Sequence, residues 1–117
     1  MNHPVLQWQL IAPNPEAAAA FYRRAFGWTI DAANALGYRQ ITAEAGGIGG
    51  GIWPAPPGAT AFVQIFVGCD DVAATLARAT EAGAQVVLPV TPLPDGDVMA
   101  IVRDPAGVSI GLVKAPA

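Results

Sequence analysis

Three glutamines and two phenylalanines fall in step on two extended segments of this chain. In "VLQWQLIA" at 5–12, Gln7 and Gln9 alternate with Leu6, Trp8 and Leu10. In "AFVQIFVG" at 61–68, Phe62, Gln64 and Phe66 alternate with Val63, Ile65 and Val67. Side chains two apart on a strand share a face, so each segment carries one face with amides or aromatic rings. An amide donates and accepts hydrogen bonds without charge. Beside aromatic walls it suits an uncharged or weakly polar organic ligand, held by burial and oriented by a few hydrogen bonds. The bland alternative is that the glutamines bond one another and nearby backbone while the phenylalanines fill the interior.

Groups for harder chemistry are sparse. His3 is the single histidine and reads as a solvated residue near the terminus. Cys69 is the single cysteine, without a partner or ligand spacing, and reads as a packed thiol. Asp70 and Asp71 cap a helix, Asp95-Gly96 makes a loop or hairpin turn, and Asp97 is not read as a base. Arg103 and Asp104 belong to a turn. "GGIGGGIW" at 46–53 lacks a following Lys-Ser/Thr and does not open a helix, so it is no phosphate loop; its glycines allow a sharply curved strand. Trp53 ends that strand beside a Pro-rich stretch and reads as a ligand rim or a dimer contact, whereas Trp8 and Trp28 read as core.

The elements that position these residues follow from periodicity. After the first strand, Asn14 is a good N-cap, Pro15 suits the first helical position, and Gly27 ends the helix. Ala18, Phe21, Tyr22 and Ala25 form its packed face. "WTIDA", "YRQITA" and "GGIGGGIW" follow as strands, with turns near Asn34 and Glu44. "PAPPGA" then breaks the chain, because consecutive prolines forbid helix and remove ladder donors. The order then repeats: the strand at 61–68, a helix over 71–82 with Val72, Leu76 and Ala79 aligned, and strands "AQVVLP", "DVMAIVRD" and "VSIGLV". Gln7 and Gln64 lie 57 positions apart at matching places in the two opening strands, and Gly50 and Gly111 lie 61 apart in the closing ones. The chain reads as a duplicated topology of one domain, with modules over 1–53 and 61–117 joined by a linker at 54–60.

With 117 residues there is room for one compact domain. Net charge is −3 and the six bases are scattered, which gives nucleic acid no basic patch. No apolar run reaches membrane-spanning length, and no basic, then apolar leader opens the chain, so a cytoplasmic protein is expected.

Two βαβββ halves, "FYRRAFGW" at 21–28 and "RDPAGVSIGL" at 103–112 together resemble the vicinal oxygen chelate superfamily of glyoxalase I, extradiol dioxygenases and bleomycin-resistance proteins. The resemblance implies an α+β fold whose two modules curl their sheets around a central cavity. It also implies one metal ligand on the opening strand and one on the closing strand of each half. Those places fall on Gln7, Gly50, Gln64 and Gly111, with the register at Gly50 open to a slip of one. Glycine offers no donor, and neutral amides hold hard or borderline cations weakly. No metal or other cofactor is therefore expected, and glycine at a ligand position is expected to open space for an organic guest. The ligand-binding set is Gln7, Gln9, Gly50, Trp53, Phe62, Gln64, Phe66 and Gly111. The expected function is metal-independent binding of a small organic molecule, with sequestration of a toxic compound as one version. The alternatives are a metal-dependent lyase or dioxygenase, and a structural or regulatory module with a filled cavity. A homodimer is expected, as is common in that superfamily.

Overall fold

A computed structural model of the protein describes residues 3–32, 38–94 and 96–115. Its elements are β1 (Val5–Ala12), α1 (Pro15–Phe26), β2 (Ile30–Asp31), β3 (Arg39–Ile41), β4 (Gly50–Pro54), β5 (Phe62–Cys69), α2 (Val72–Glu81), β6 (Gln85–Pro92), β7 (Val98–Arg103) and β8 (Ser109–Lys114). The fold is mixed α+β, and the strand, helix, strand, strand, strand order occurs twice, as the periodicity indicates. Contacts divide the chain into a first unit, Gln7–Val63, and a second unit made of Gln64 onward with the residues before Gln7. The leading residues join the second unit because the Gly68 N–H donates to the Pro4 carbonyl at 2.8 Å and Leu6 lies across Gly68.

In the first unit the strand order is β2-β3-β4-β1. The β1/β4 pair is parallel and the other two pairs are antiparallel. Local chemistry starts and stops α1 as expected. The Asn14 side chain accepts from the Ala17 N–H at 3.1 Å, Pro15 opens the helix, and Gly27 closes it at φ 68, where a side chain would be strained. The helix lies on a core of Ala12, Ala19, Ile30, Ile41 and Ile52, with Trp8, Leu10, Ala18, Tyr22 and Trp28 at its margin. Phe21 and Ala25 depart from expectation. Phe21 is 58% exposed and Ala25 is exposed, while Ala19 is buried. The inward stripe runs along Ala18, Ala19 and Tyr22, and small alanines at closest approach let the helix settle onto the sheet. β2 and β3 are shorter than the periodicity indicates, and β4 begins at Gly50, because Ala45 and Gly46 are spent on a turn. The Gly47 N–H donates to the Glu44 carbonyl at 2.8 Å, the turn expected there; the turn expected near Asn34 lies outside the described residues.

In the second unit the order is β5-β8-β7-β6, again with its first and last strands parallel. The Asp71 carboxylate accepts from the Ala74 N–H at 3.0 Å and so caps α2. Val72 and Leu76 pack with Cys69, Ala100, Val102 and Leu112, as the helical spacing indicates. Cys69 is wholly buried, the packed thiol expected. Along β5, Val67 joins this core, but Val63 and Ile65 are exposed at 62% and 37%. The Asp104 carboxylate accepts from the Ala106 and Val108 N–H groups at 2.8 and 2.9 Å, making the turn before β8. The Asp95-Gly96 turn is described only from Gly96, whose N–H donates to the Leu93 carbonyl at 3.0 Å. Among the described residues no helix is long and apolar enough to cross a membrane.

The α2 cap gives a direct check on this account. Asp71→Ala leaves an N–H of the first turn without its acceptor and is expected to cost about 1 kcal/mol, while Asp71→Asn keeps most of the stability. Urea midpoints of the two variants measure the difference.

Candidate functional site

α1 covers one face of the first unit's sheet, and strand alternation turns another set of side chains to the opposite face. Register pairs Gln9 with Gly51, Ile11 with Trp53, and Gln40 with Gly51. Gln7, Gln9, Ile11, Gln40, Gly51 and Trp53 therefore share the face away from the helix. Gln9 is 9% exposed, and Trp53 is half-buried with its ring 5.6 Å from that of Tyr38. A Cβ placed on Gly51 would overlap the Tyr38 phenol. Gly51 is thus the seat of the Tyr38 ring.

Gly50 requires a correction. It lies on the helix-covered face, where a Cβ would come within 2.5 Å of Trp8 Cδ2. Trp8 occupies that space, and its indole N–H donates to the Ile48 carbonyl at 2.8 Å. The position that shares a face with Gln7 and Gln9 is Gly51, one residue further on, because a step of one along a strand reverses the side. The glycines of β4 accommodate two rings on opposite faces.

The second unit has a corresponding face. β5 contributes Gln64 and Phe66, and β8 contributes Ser109, Gly111 and Val113, with Phe66 directly beside Gly111. Gln64 is 4% and Phe66 1% exposed. Phe62 shares their parity at the start of β5 and is 36% exposed. A Cβ at Gly111 would meet Phe66 Cε2 and Cζ at 2.5 Å. The space expected to stand open at Gly111 is therefore filled by the Phe66 ring, which the absence of a side chain admits. The Ser109 hydroxyl donates to Gln64 Oε1 at 2.6 Å. That bond fixes the amide plane and engages its oxygen, leaving the nitrogen end as the donor. Ser109 and Tyr38 were not among the residues expected from sequence. Ser109 was legible only through the β5/β8 register, two residues before the Phe66–Gly111 pair, and Tyr38 only through the contact at Gly51.

Charge is scarce on both faces. Burial pushes the Tyr38 phenol above its usual value near 10, with the Gln9 amide acting weakly in the other direction. Glu16 is ion-paired with Arg39, whose hydrogen bond and charge hold the Glu16 carboxyl below its ordinary range. Arg103, Asp70 and Asp97 are exposed, and His3 is half-buried.

Residues 1–112 match the profile of the Glyoxalase/Bleomycin resistance protein/Dioxygenase superfamily. The chain belongs to this superfamily. Two mycobacterial proteins provisionally named glyoxylase CFP32, from Mycobacterium bovis and Mycobacterium tuberculosis, are 30% identical over 109 residues, which is 91% of this chain and 42% of theirs. The chain thus spans under half the length of those curated relatives. Among solved structures, a mutant 4-hydroxymandelate synthase from Streptomyces coelicolor superposes with a TM-score of 0.70 at 18% identity, covering 98% of this chain and 39% of the other. A methylmalonyl-CoA epimerase from the same organism, in complex with 2-nitronate-propionyl-CoA, gives 0.62 at 19%, covering 97% of each chain. Likeness at this identity extends to the fold.

The resemblance implies metal ligands at Gln7, Gly50, Gln64 and Gly111; with Gly51 in place of Gly50 as the β4 residue on the face of Gln7 and Gln9, the four positions are Gln7, Gly51, Gln64 and Gly111. The residues present do not fit a divalent cation. Two of the four have no side chain and their space holds the Tyr38 and Phe66 rings. The other two are neutral amides, and the Gln64 oxygen is engaged by Ser109. Among the described residues no group of three or more His, Cys, Asp or Glu side chains is placed to hold a metal.

Two measurements follow. Gly111→Ala forces Phe66 out of its seat and is expected to cost about 1–3 kcal/mol; combined with Phe66→Leu, the cost should fall short of the sum of the single changes. For Tyr38, a phenol raised in the folded state stabilises the fold fully below its unfolded value and loses that contribution as pH climbs through the folded one. Ultraviolet titration of phenolate should show a late step that Tyr38→Phe removes, and the variant should lose less stability than the parent at alkaline pH.

Proposed function

We propose that this superfamily member binds a small, uncharged organic molecule without a metal ion, in a sequestering role. The observation that carries this reading is the second unit's polar device: Gln64, almost wholly buried, its oxygen held by Ser109, beside the Phe66 ring. A buried amide costs free energy unless its hydrogen bonds are made; Ser109 engages the oxygen of this one, and Phe66 follows it on the same face of β5. An acceptor oxygen on a flat or apolar body, such as an aryl ketone or an ester, matches that pairing. Gln7, Gln9, Tyr38 and Trp53 offer the same amide and ring chemistry on the first unit's face. Among the described residues, those that share these two faces include no group of His, Cys, Asp or Glu side chains placed to hold a divalent ion for a lyase or dioxygenase step.

A second reading is supported by the same rings. With Tyr38 seated at Gly51 and Phe66 at Gly111, the faces are already partly furnished, as they would be in a structural or regulatory module that takes no guest.

The two readings separate in one experiment. Protein purified without chelator should carry metal far below one ion per chain by elemental analysis. Acetophenone and related neutral aryl ketones should shift the backbone amide resonances of Gln64, Phe66, Ser109 and Gly111. Ser109→Ala, which frees the amide to rotate, should weaken that binding roughly tenfold. A stoichiometric metal overturns the proposal, and an absence of shifts across a neutral fragment set transfers the case to the filled module.

A further inference from the structure

α1 is apolar on two sides. A helix that lies on a sheet normally presents charged or polar residues to water, yet this one carries only Glu16, Arg23 and Arg24 among its twelve residues. Its inward stripe is spent on the sheet. On the outward side Ala17, Ala20, Phe21 and Arg24 recur at the i, i+3, i+4, i+7 spacing of one helical face, all exposed, with Ala25 beside them. Together they line a shallow groove of about 610 Å³. Phe21 leans edge-on against Tyr22 and Phe26, with centroids 5.0 and 6.3 Å away, so it stands as a supported projection.

We infer that this face is a self-pairing surface, occupied by α1 of a second copy of the chain in antiparallel, two-fold fashion. Shape and charge both select that occupant. With the axis between Ala20 and Phe21, each Phe21 enters the hole bounded by Ala17, Ala20, Phe21 and Arg24 of the other copy, since a two-fold contact must be self-complementary. The alanines supply the notch and the phenylalanine the knob. Glu16 stands in the first turn and Arg24 in the last, so antiparallel pairing brings the acidic end of each helix to the basic end of the other. It also opposes the two helix dipoles favourably. Glu16 keeps its bond to Arg39, and most of its side chain remains exposed for this second contact. The curated relatives are long enough to hold two chains of this size. This surface differs from the Trp53 contact considered from sequence, since Trp53 is half-buried against Tyr38. The inference does not depend on the ligand proposed above.

One helix pair buries less than the roughly 800 Å² per partner of a standard stable interface, so the dimer should be concentration-dependent. Sedimentation equilibrium of the unmodified chain from roughly 1 µM to roughly 1 mM should show monomer converting to dimer. Phe21→Asp and Ala20→Glu, both at exposed positions, should each raise the dissociation constant at least about tenfold with circular dichroism unchanged. Ala20→Cys should form a disulfide-linked dimer on mild oxidation, because its two copies meet near the axis. Ala77→Cys, on the exposed side of α2, should not. A chain that stays monomeric throughout, a dimer indifferent to both charge insertions, or equal crosslinking at Ala77 overturns the inference, and the first of these leaves the groove to a different partner. Should Phe21→Asp fail to fold, the Ala20 variants carry the test alone.

Discussion

The parallel pairing of each unit's first strand with its last, β1 with β4 and β5 with β8, is the constraint on which the candidate site rests. A strand side chain has two faces to choose from, and pairing register decides which residues of the neighbouring strand share its face. Once Gln9 is opposite Gly51 and Phe66 opposite Gly111, the helices take one side of each sheet and the amides and rings take the other. No local propensity could produce this division, because the paired residues are separated by more than forty positions in the chain.

Within that constraint the glycines act by omission. Gly50, Gly51 and Gly111 each stand where a methyl group would collide with a ring, and the three rings differ in consequence. Trp8 goes to the helix-covered core. Tyr38 and Phe66 go to the faces that carry Gln9 and Gln64. The chemistry left there is that of dipoles and π-surfaces: amides at Gln7, Gln9 and Gln64, a hydroxyl at Ser109, a phenol at Tyr38. Such groups recognise shape and hydrogen-bond direction, and they carry no formal negative charge with which to hold a divalent cation.

What was legible in the sequence was mostly what is local. Asn14, Pro15 and Gly27 mark α1, and Asp71 marks α2, because capping is settled within one turn of backbone. The alternation in "VLQWQLIA" and "AFVQIFVG" sorts faces for the same reason. Two readings depended on more distant facts. The choice between Gly50 and Gly51 turned on how many residues the preceding turn consumes, and five glycines in eight positions carry no pattern to count against. The spacing puts Phe21 inward because an alanine-rich helix offers little contrast between its sides and a large apolar residue favours a core, yet Phe21 is exposed. The Ser109–Gln64 bond joins residues 45 apart, beyond any spacing rule. The empty space imagined at Gly111 failed for a simpler reason: interiors close-pack, and a neighbouring ring fills a gap.

Cys69 gives the second unit an unplanned reporter. The chain's sole sulfhydryl sits with no solvent exposure at the end of β5, between α2 and the sheet. A thiol-specific reagent can reach it only when that packing opens, so the rate of derivatisation in native buffer clocks how often this half of the molecule breathes.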